Sequence, residues 1–138
     1  MKILLSAALI AFVFTLSANI CAANSYDDDP NYFYVITAHQ GSYYLNLRSI
    51  DVQEYNPPHY QIAGTFVHVS GMYNNLGEAT MLYVTERFNW YTKESYSRDK
   101  NGNWKKTVIE PDCTATKVNR KFADALFRAA YGMDFYGY

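Results

Sequence analysis

Tyr60-Gln61-Ile62-Ala63-Gly64-Thr65-Phe66-Val67-His68-Val69-Ser70 alternates along its whole length. Tyr60, Ile62, Gly64, Phe66 and His68 fall on one side, and Gln61, Ala63, Thr65, Val67 and Val69 on the other. Successive strand side chains point to opposite faces, so a run with apolar groups on both faces belongs in the middle of a sheet. The segment therefore reads as a central strand.

Downstream, Gly71 to Gly77, holding Asn74-Asn75, is a turn. Ala79 to Tyr91 is the longest β-like run, with Leu82, Val84, Phe88 and Trp90 on one face and Met81, Tyr83, Arg87 and Tyr91 on the other. Asn101-Gly102 signals a type I′ hairpin, since both residues tolerate positive φ. It would fold Trp104 to Ile109 back on Tyr91 to Ser97, and Glu110-Pro111-Asp112 ends the sheet. The period then changes. Val118, Phe122, Ala125, Leu126 and Ala129 recur at spacings of three and four, with Lys117, Arg120, Lys121, Asp124 and Arg128 mostly opposite. This predicts an amphipathic helix over 117–131, with Thr116 as N-cap and Gly132 at C′. The tail, Met133 to Tyr138, is expected to dock beside it.

Upstream, Tyr32 to Thr37 and Tyr43 to Ile50 read as two strands punctuated by Gly41. In the second, Tyr43, Leu45 and Leu47 share one face and Tyr44, Asn46 and Arg48 the other. Pro57-Pro58 is expected to keep a ladder from running through Glu54 to His59. Asn24 to Asn31, with Asp27-Asp28-Asp29, reads as a solvated leader. A helix with one apolar stripe needs a sheet face to bury it. The expected fold is α+β: a single antiparallel β-sheet of about five or six strands with a C-terminal amphipathic helix packed on one face.

Met1-Lys2 followed by apolar Ile3 to Leu16 and small-residue Ser17 to Ala23 reads as a signal peptide over 1–23. Residues 24–138 then form a single exported β-rich domain, periplasmic, at the cell surface or secreted, with no membrane span after signal removal. From Asn24 on there are 14 Tyr, 6 Phe and 2 Trp against 7 Val, 5 Leu, 4 Ile and 3 Met, so aromatics must fill much of the core. This composition excludes a long disordered, collagen-like or coiled-coil chain. With 12 Lys and Arg against 13 Asp and Glu and no basic stripe, nucleic acid is not an expected partner. Cys113 is the cysteine left once Cys21 is removed, so it pairs between chains or sits buried and inert. Its neighbours Glu110 and Asp112 are expected to raise its pKa.

No phosphate loop, dinucleotide fingerprint, HExxH or CxxC occurs, and no catalytic residue, metal site or cofactor is expected. His39, His59 and His68 lie on separate segments, His68 reading as a hydrogen-bonded sheet histidine. The carboxylates Asp51, Glu78, Glu86 and Glu94 offer no spacing that selects a pair. Trp90, Tyr91, Tyr96 and Trp104 gather near the hairpin, with Lys93, Lys105 and Lys106 solvated nearby. These four aromatics are the candidate ligand-binding residues, because Tyr and Trp combine large rigid area with a polar handle. The competing reading puts them in the core. The expected function is a non-enzymatic exported domain that binds a protein or envelope component. The alternative is a small periplasmic enzyme or ligand carrier.

Tyr43-Tyr44-Leu45-Asn46 followed by Ser49-Ile50, with the closing helix and aromatic tail, resembles the surface-adhesin protein E-like domains of bacteria. That resemblance implies an exported sheet-plus-helix module that contacts host proteins, although the type member's central disulfide has no counterpart here. Glu54-Tyr55-Asn56-Pro57-Pro58-His59-Tyr60 and the ending Ala129-Ala130-Tyr131-Gly132-Met133-Asp134-Phe135-Tyr136-Gly137-Tyr138 are similar to those of small uncharacterised exported bacterial proteins.

Overall fold

A computed structural model of the chain describes residues 26–71, 79–110 and 113–137. The signal segment and the turn after the central strand lie outside the described residues. Six strands follow in order: β1 (Tyr32–Ala38), β2 (Gly41–Asn56), β3 (His59–Ser70), β4 (Ala79–Asn89), β5 (Glu94–Arg98) and β6 (Trp104–Lys106), then α1 (Thr114–Tyr131). Each strand pairs antiparallel with its neighbour in sequence, giving one six-stranded sheet, and α1 packs against β1, β2 and β3. No helix among the described residues is long and apolar enough to cross a membrane.

The core follows the alternation. Leu45, Ile62, Phe66 and Phe88 project from the sheet onto Val118, Phe122, Ala123, Leu126 and Phe127 of the helix. Phe66 stacks on Phe122 at 4.1 Å, and Phe88 meets Phe127 edge-on at 5.2 Å. Gly64 lies between Ile62 and Phe66 of this row, facing Leu126 of the helix. A Cβ there would stand 2.8 Å from Cδ2 of Leu126 and 3.2 Å from Cδ1 of both Ile50 and Leu45. Gly64→Ala is accordingly expected to destabilise the domain by about 1–3 kcal/mol, the usual cost of overpacking a tight core. Urea unfolding of the two proteins checks this.

Several local expectations are corrected. The ladder runs up to the proline turn, with Tyr55 opposite Tyr60 and Asn56 opposite His59. Pro57 and Pro58 occupy the two turn positions, joined by a cis peptide, where no ladder N–H is required. β2 also carries an excursion between Asn46 and Asp51, tied back by Ser49, whose hydroxyl donates to the Asn46 carbonyl and accepts the Thr65 N–H, both at 2.7 Å. At Asn101-Gly102 only Gly102 has positive φ, so the turn is not type I′. The Asp99 carboxylate there accepts the N–H groups of Asn101 and Asn103 and sets a longer loop. The two-residue hairpin with both positions at positive φ lies instead at His39-Gln40, between β1 and β2.

The helix begins at Thr114 with Cys113 at the N-cap, not Thr116. The Thr116 hydroxyl donates to the carbonyls of Glu110 and Cys113, tightening the first turn. Gly132 ends the helix in the left-handed conformation at φ 76°, as expected. The tail docks beside the helix, burying Phe135 completely. It also covers Asp124, which sequence placed on the polar face and which is only 4% exposed. The leader is not free in solvent: Tyr26 stacks on Tyr44, and the Tyr44 hydroxyl donates to Asp27 at 2.8 Å. Burial and that carboxylate push the Tyr44 pKa up to about 12.

Candidate functional site

The sheet has a covered face, under α1, and an open face. Cross-strand register brings Tyr34, Tyr44, Val67 and Met81 into one row on the open face. Asn46, Thr65 and Tyr83 form the next row, and Asp51, Ala63 and Thr85 the one after. A further row runs Gln61, Arg87, Tyr96 and Lys106, with Trp104 two residues from Lys106 on the same side. Val67, Ala63 and Thr85 are buried between the larger groups, whereas Met81 is 71% exposed, Tyr83 67% and Tyr34 50%. The result is an exposed Met81–Tyr83 patch on β4, with Tyr34 on one side beyond Tyr44, which Tyr26 covers, and Arg87, Tyr96 and Trp104 on the other.

The hairpin end of the band is held by polar contacts. The Arg87 guanidinium lies 4.1 Å above the Trp104 ring, and Arg87 Nε donates to Gln61, which in turn donates to Gln53. Arg98 approaches the same indole at 5.9 Å. Glu94 accepts from Lys106 and from the Tyr96 hydroxyl, which holds its carboxyl below the usual range. Lys105 pairs with Asp99 at 3.5 Å.

The four aromatics singled out from sequence are thus divided by the sheet. Tyr96 and Trp104 share the open face, and Tyr91 projects from the turn after β4 at 83% exposure. Trp90 shares the side of Phe88 and lies under the helix, stacked on Phe127 at 5.3 Å. Lys93, expected in solvent, places its ammonium 3.0 Å from the centre of the Trp90 ring and donates to the Phe135 carbonyl. Burial there lowers its pKa. The residues missed as site candidates are Tyr34, Met81, Tyr83 and Arg87. The alternation of β4 already put three of these on one face, but only the register of β1 to β4 adds Tyr34.

Comparison with family models, with curated proteins and with solved structures finds no match. Function therefore rests on geometry. Among the described residues no three His, Cys, Asp or Glu side chains come together as metal ligands. His68 stacks on Tyr43 at 4.4 Å, and its buried Nε2 has no hydrogen-bond partner, in contrast to the expected hydrogen-bonded histidine. Cys113 is exposed, not buried. The helix N-terminal amides of Ala115 and Thr116 lower its pKa, outweighing the acidic neighbour Glu110.

Two carboxylates are buried, Glu86 on β4 and Asp124 on α1. Glu86, 1% exposed, accepts the Ser97 hydroxyl at 3.2 Å on one oxygen, while the other has no partner. Burial, with the charge of Asp124 adding to it, pushes its pKa up to about 8. Asp124 accepts the Tyr136 N–H at 2.7 Å through Oδ1, and burial raises its pKa. Asp51 and Glu94 lie on the opposite face from Glu86, and Glu78 is outside the described residues.

Proposed function

We propose that the protein is an exported, non-enzymatic binding module that docks a partner protein of the cell envelope or surface on the open face of its sheet. One observation carries this reading: the sheet face away from the helix carries exposed Tyr34, Met81 and Tyr83 and half-buried Tyr96 and Trp104, with Arg87 laid over the indole. Tyr, Trp, Met and Arg are the residues enriched in the cores of protein interfaces, and Tyr, Trp and Arg are the ones that carry binding energy there. The stacked, hydrogen-bonded Arg87 is pre-organised, so little side-chain entropy is lost on binding.

An enzyme or ligand carrier is less well supported. Glu86 is sealed from solvent and borders no cleft among the described residues, and a general acid or base must come within hydrogen-bond reach of its substrate.

The test is capture from envelope extract by the immobilised protein, compared with Met81→Glu, Tyr83→Glu and, as control, Lys117→Glu on the helix. Met81 and Tyr83 are exposed, so thermal melting is expected to change little. Capture of a discrete partner should fall tenfold or more for the first two variants and stay unchanged for the control. Equal capture by all four proteins would remove the open face from consideration.

A further inference from the structure

β1 is the sheet's outermost strand, and among the described residues no strand pairs with its outer edge, where the Tyr32 N–H donates to the Asp29 carbonyl at 3.0 Å. Its sequence, Tyr-Phe-Tyr-Val-Ile-Thr-Ala, holds no charge and no proline, the devices that usually blunt a sheet edge. Beside it runs a groove of about 100 Å³ between β1 and α1, lined by Phe33, Tyr34 and Val35 on one wall and by Asp124, Arg128 and Asp134 on the other. Three consecutive strand residues line one hollow because the pairing shifts between Tyr34 and Ile36, a bulge that breaks the alternation. The groove therefore opens along the strand backbone and not only onto one face of the sheet.

Its volume is well below the ~300–1,000 Å³ of pockets that take cofactors or drug-sized ligands, and suits a single side chain. Its chemistry selects the side chain. Arg128 is engaged by Asp134 through a two-point contact, Nε to Oδ1 at 2.6 Å and the second nitrogen to Oδ2 at 2.5 Å, with the guanidinium 5.8 Å from the Phe33 ring. Lys121 also borders the groove. Asp124 is left with one oxygen satisfied by the Tyr136 amide and the other, Oδ2, buried without a partner. An ionised carboxylate can only accept hydrogen bonds, and a buried acceptor left unsatisfied is costly. What completes it must donate a hydrogen bond, and a cationic donor also offsets the carboxylate charge.

We propose that the outer edge of β1 and the adjoining groove form a docking site for an extended basic peptide. The peptide's backbone adds a strand to β1, and a lysine or arginine side chain enters the groove to donate to Asp124. Main-chain pairing supplies affinity in strand addition, and the pocket for one side chain supplies selectivity. This site lies at the other margin of β1 from the Met81–Tyr83 patch; Tyr34 borders both, and substitution at Met81 separates the two readings.

The probe is a set of three blocked, fluorescently labelled peptides of alternating threonine and valine with a central lysine, glutamine or glutamate, titrated by anisotropy. The lysine peptide should bind at least tenfold more tightly than the other two. It should slow hydrogen exchange at Phe33 to Val35, and Met81→Glu should leave its affinity unchanged. Asp124→Asn should erase the preference for lysine. Should that variant fail to fold, the three-peptide comparison on the unaltered protein decides alone. Equal affinities for the three peptides, or protection elsewhere in the sheet, would overturn the proposal. So would β1 protection that tracks protein concentration without peptide, since the edge would then belong to a second copy of the chain.

Discussion

Phe135→Ala should cost about 3–5 kcal/mol, a large part of the stability of a small domain. The residue sits in a tail without regular secondary structure, where substitutions are usually tolerated. Here the side chain is completely buried, with its ring 4.9 Å from Phe88, 5.4 Å from Phe127 and 5.9 Å from Trp90. It fills the space between β4 and the helix that no strand covers. The surrounding tail is pinned at several points, which limits how far it can collapse into a cavity. Lys93 donates to the Phe135 carbonyl, Asp124 accepts the Tyr136 amide, Ser95 meets the Tyr136 hydroxyl at 2.7 Å, and Arg128 grips Asp134. Equilibrium urea unfolding measures the loss, and a cost below about 1 kcal/mol would show that the tail is not part of the core.

The second large effect is on pH. The Glu86 carboxyl is raised from 4.5 to about 8 by burial, so between those pH values the folded protein holds a proton that the unfolded chain releases. Stability then has a negative slope with pH. Glu86 contributes nothing unfavourable below about pH 4.5, costs progressively more as pH rises, and its full penalty is in place above about pH 8. At about 1.4 kcal/mol per pK unit, the loss from this group between pH 5 and pH 9 is on the order of 4 kcal/mol. Asp124, also raised by burial, acts in the same direction. Glu94 and Asp99, whose pKa values are lowered by their partners, act oppositely and only in acid, and both are screened by solvent. Glu86→Gln should therefore flatten the profile and leave the variant more stable than the parent at pH 9. Parallel profiles of urea midpoint against pH for the two proteins would refute the assignment.

Glu86 also illustrates where sequence reading stops. Its position in β4 puts it on the side of Val84 and Phe88, so its inward direction follows from alternation. Nothing in alternation says that the tail will close over it, or that Asp124 on a distant helix will add to the penalty. The aromatic site divides in the same way. Met81, Tyr83 and Arg87 share a face by the period of one strand, and that much was legible. Assembling them with Tyr34 and Trp104 depends on the register of six strands. That register is set in part by features weakly marked in sequence, such as the Ser49-bridged excursion in β2 and the Asp99 loop. Trp90 and Trp104 flank the same predicted hairpin, where cross-strand pairing could gather them, yet the sheet passes between them.

The amino-acid sequence by itself determined the antiparallel sheet, the central place of β3, the C-terminal helix and its glycine stop. Each depends on local periodicity or on the conformational preference of single residues, and these act over a few positions. Only the tertiary structure decided which aromatics are core and which are surface, the burial of Glu86 and Asp124, and the groove beside β1. Those depend on what packs against what, through contacts between segments far apart in the chain, and a strand's alternation is blind to the layer that will or will not cover it.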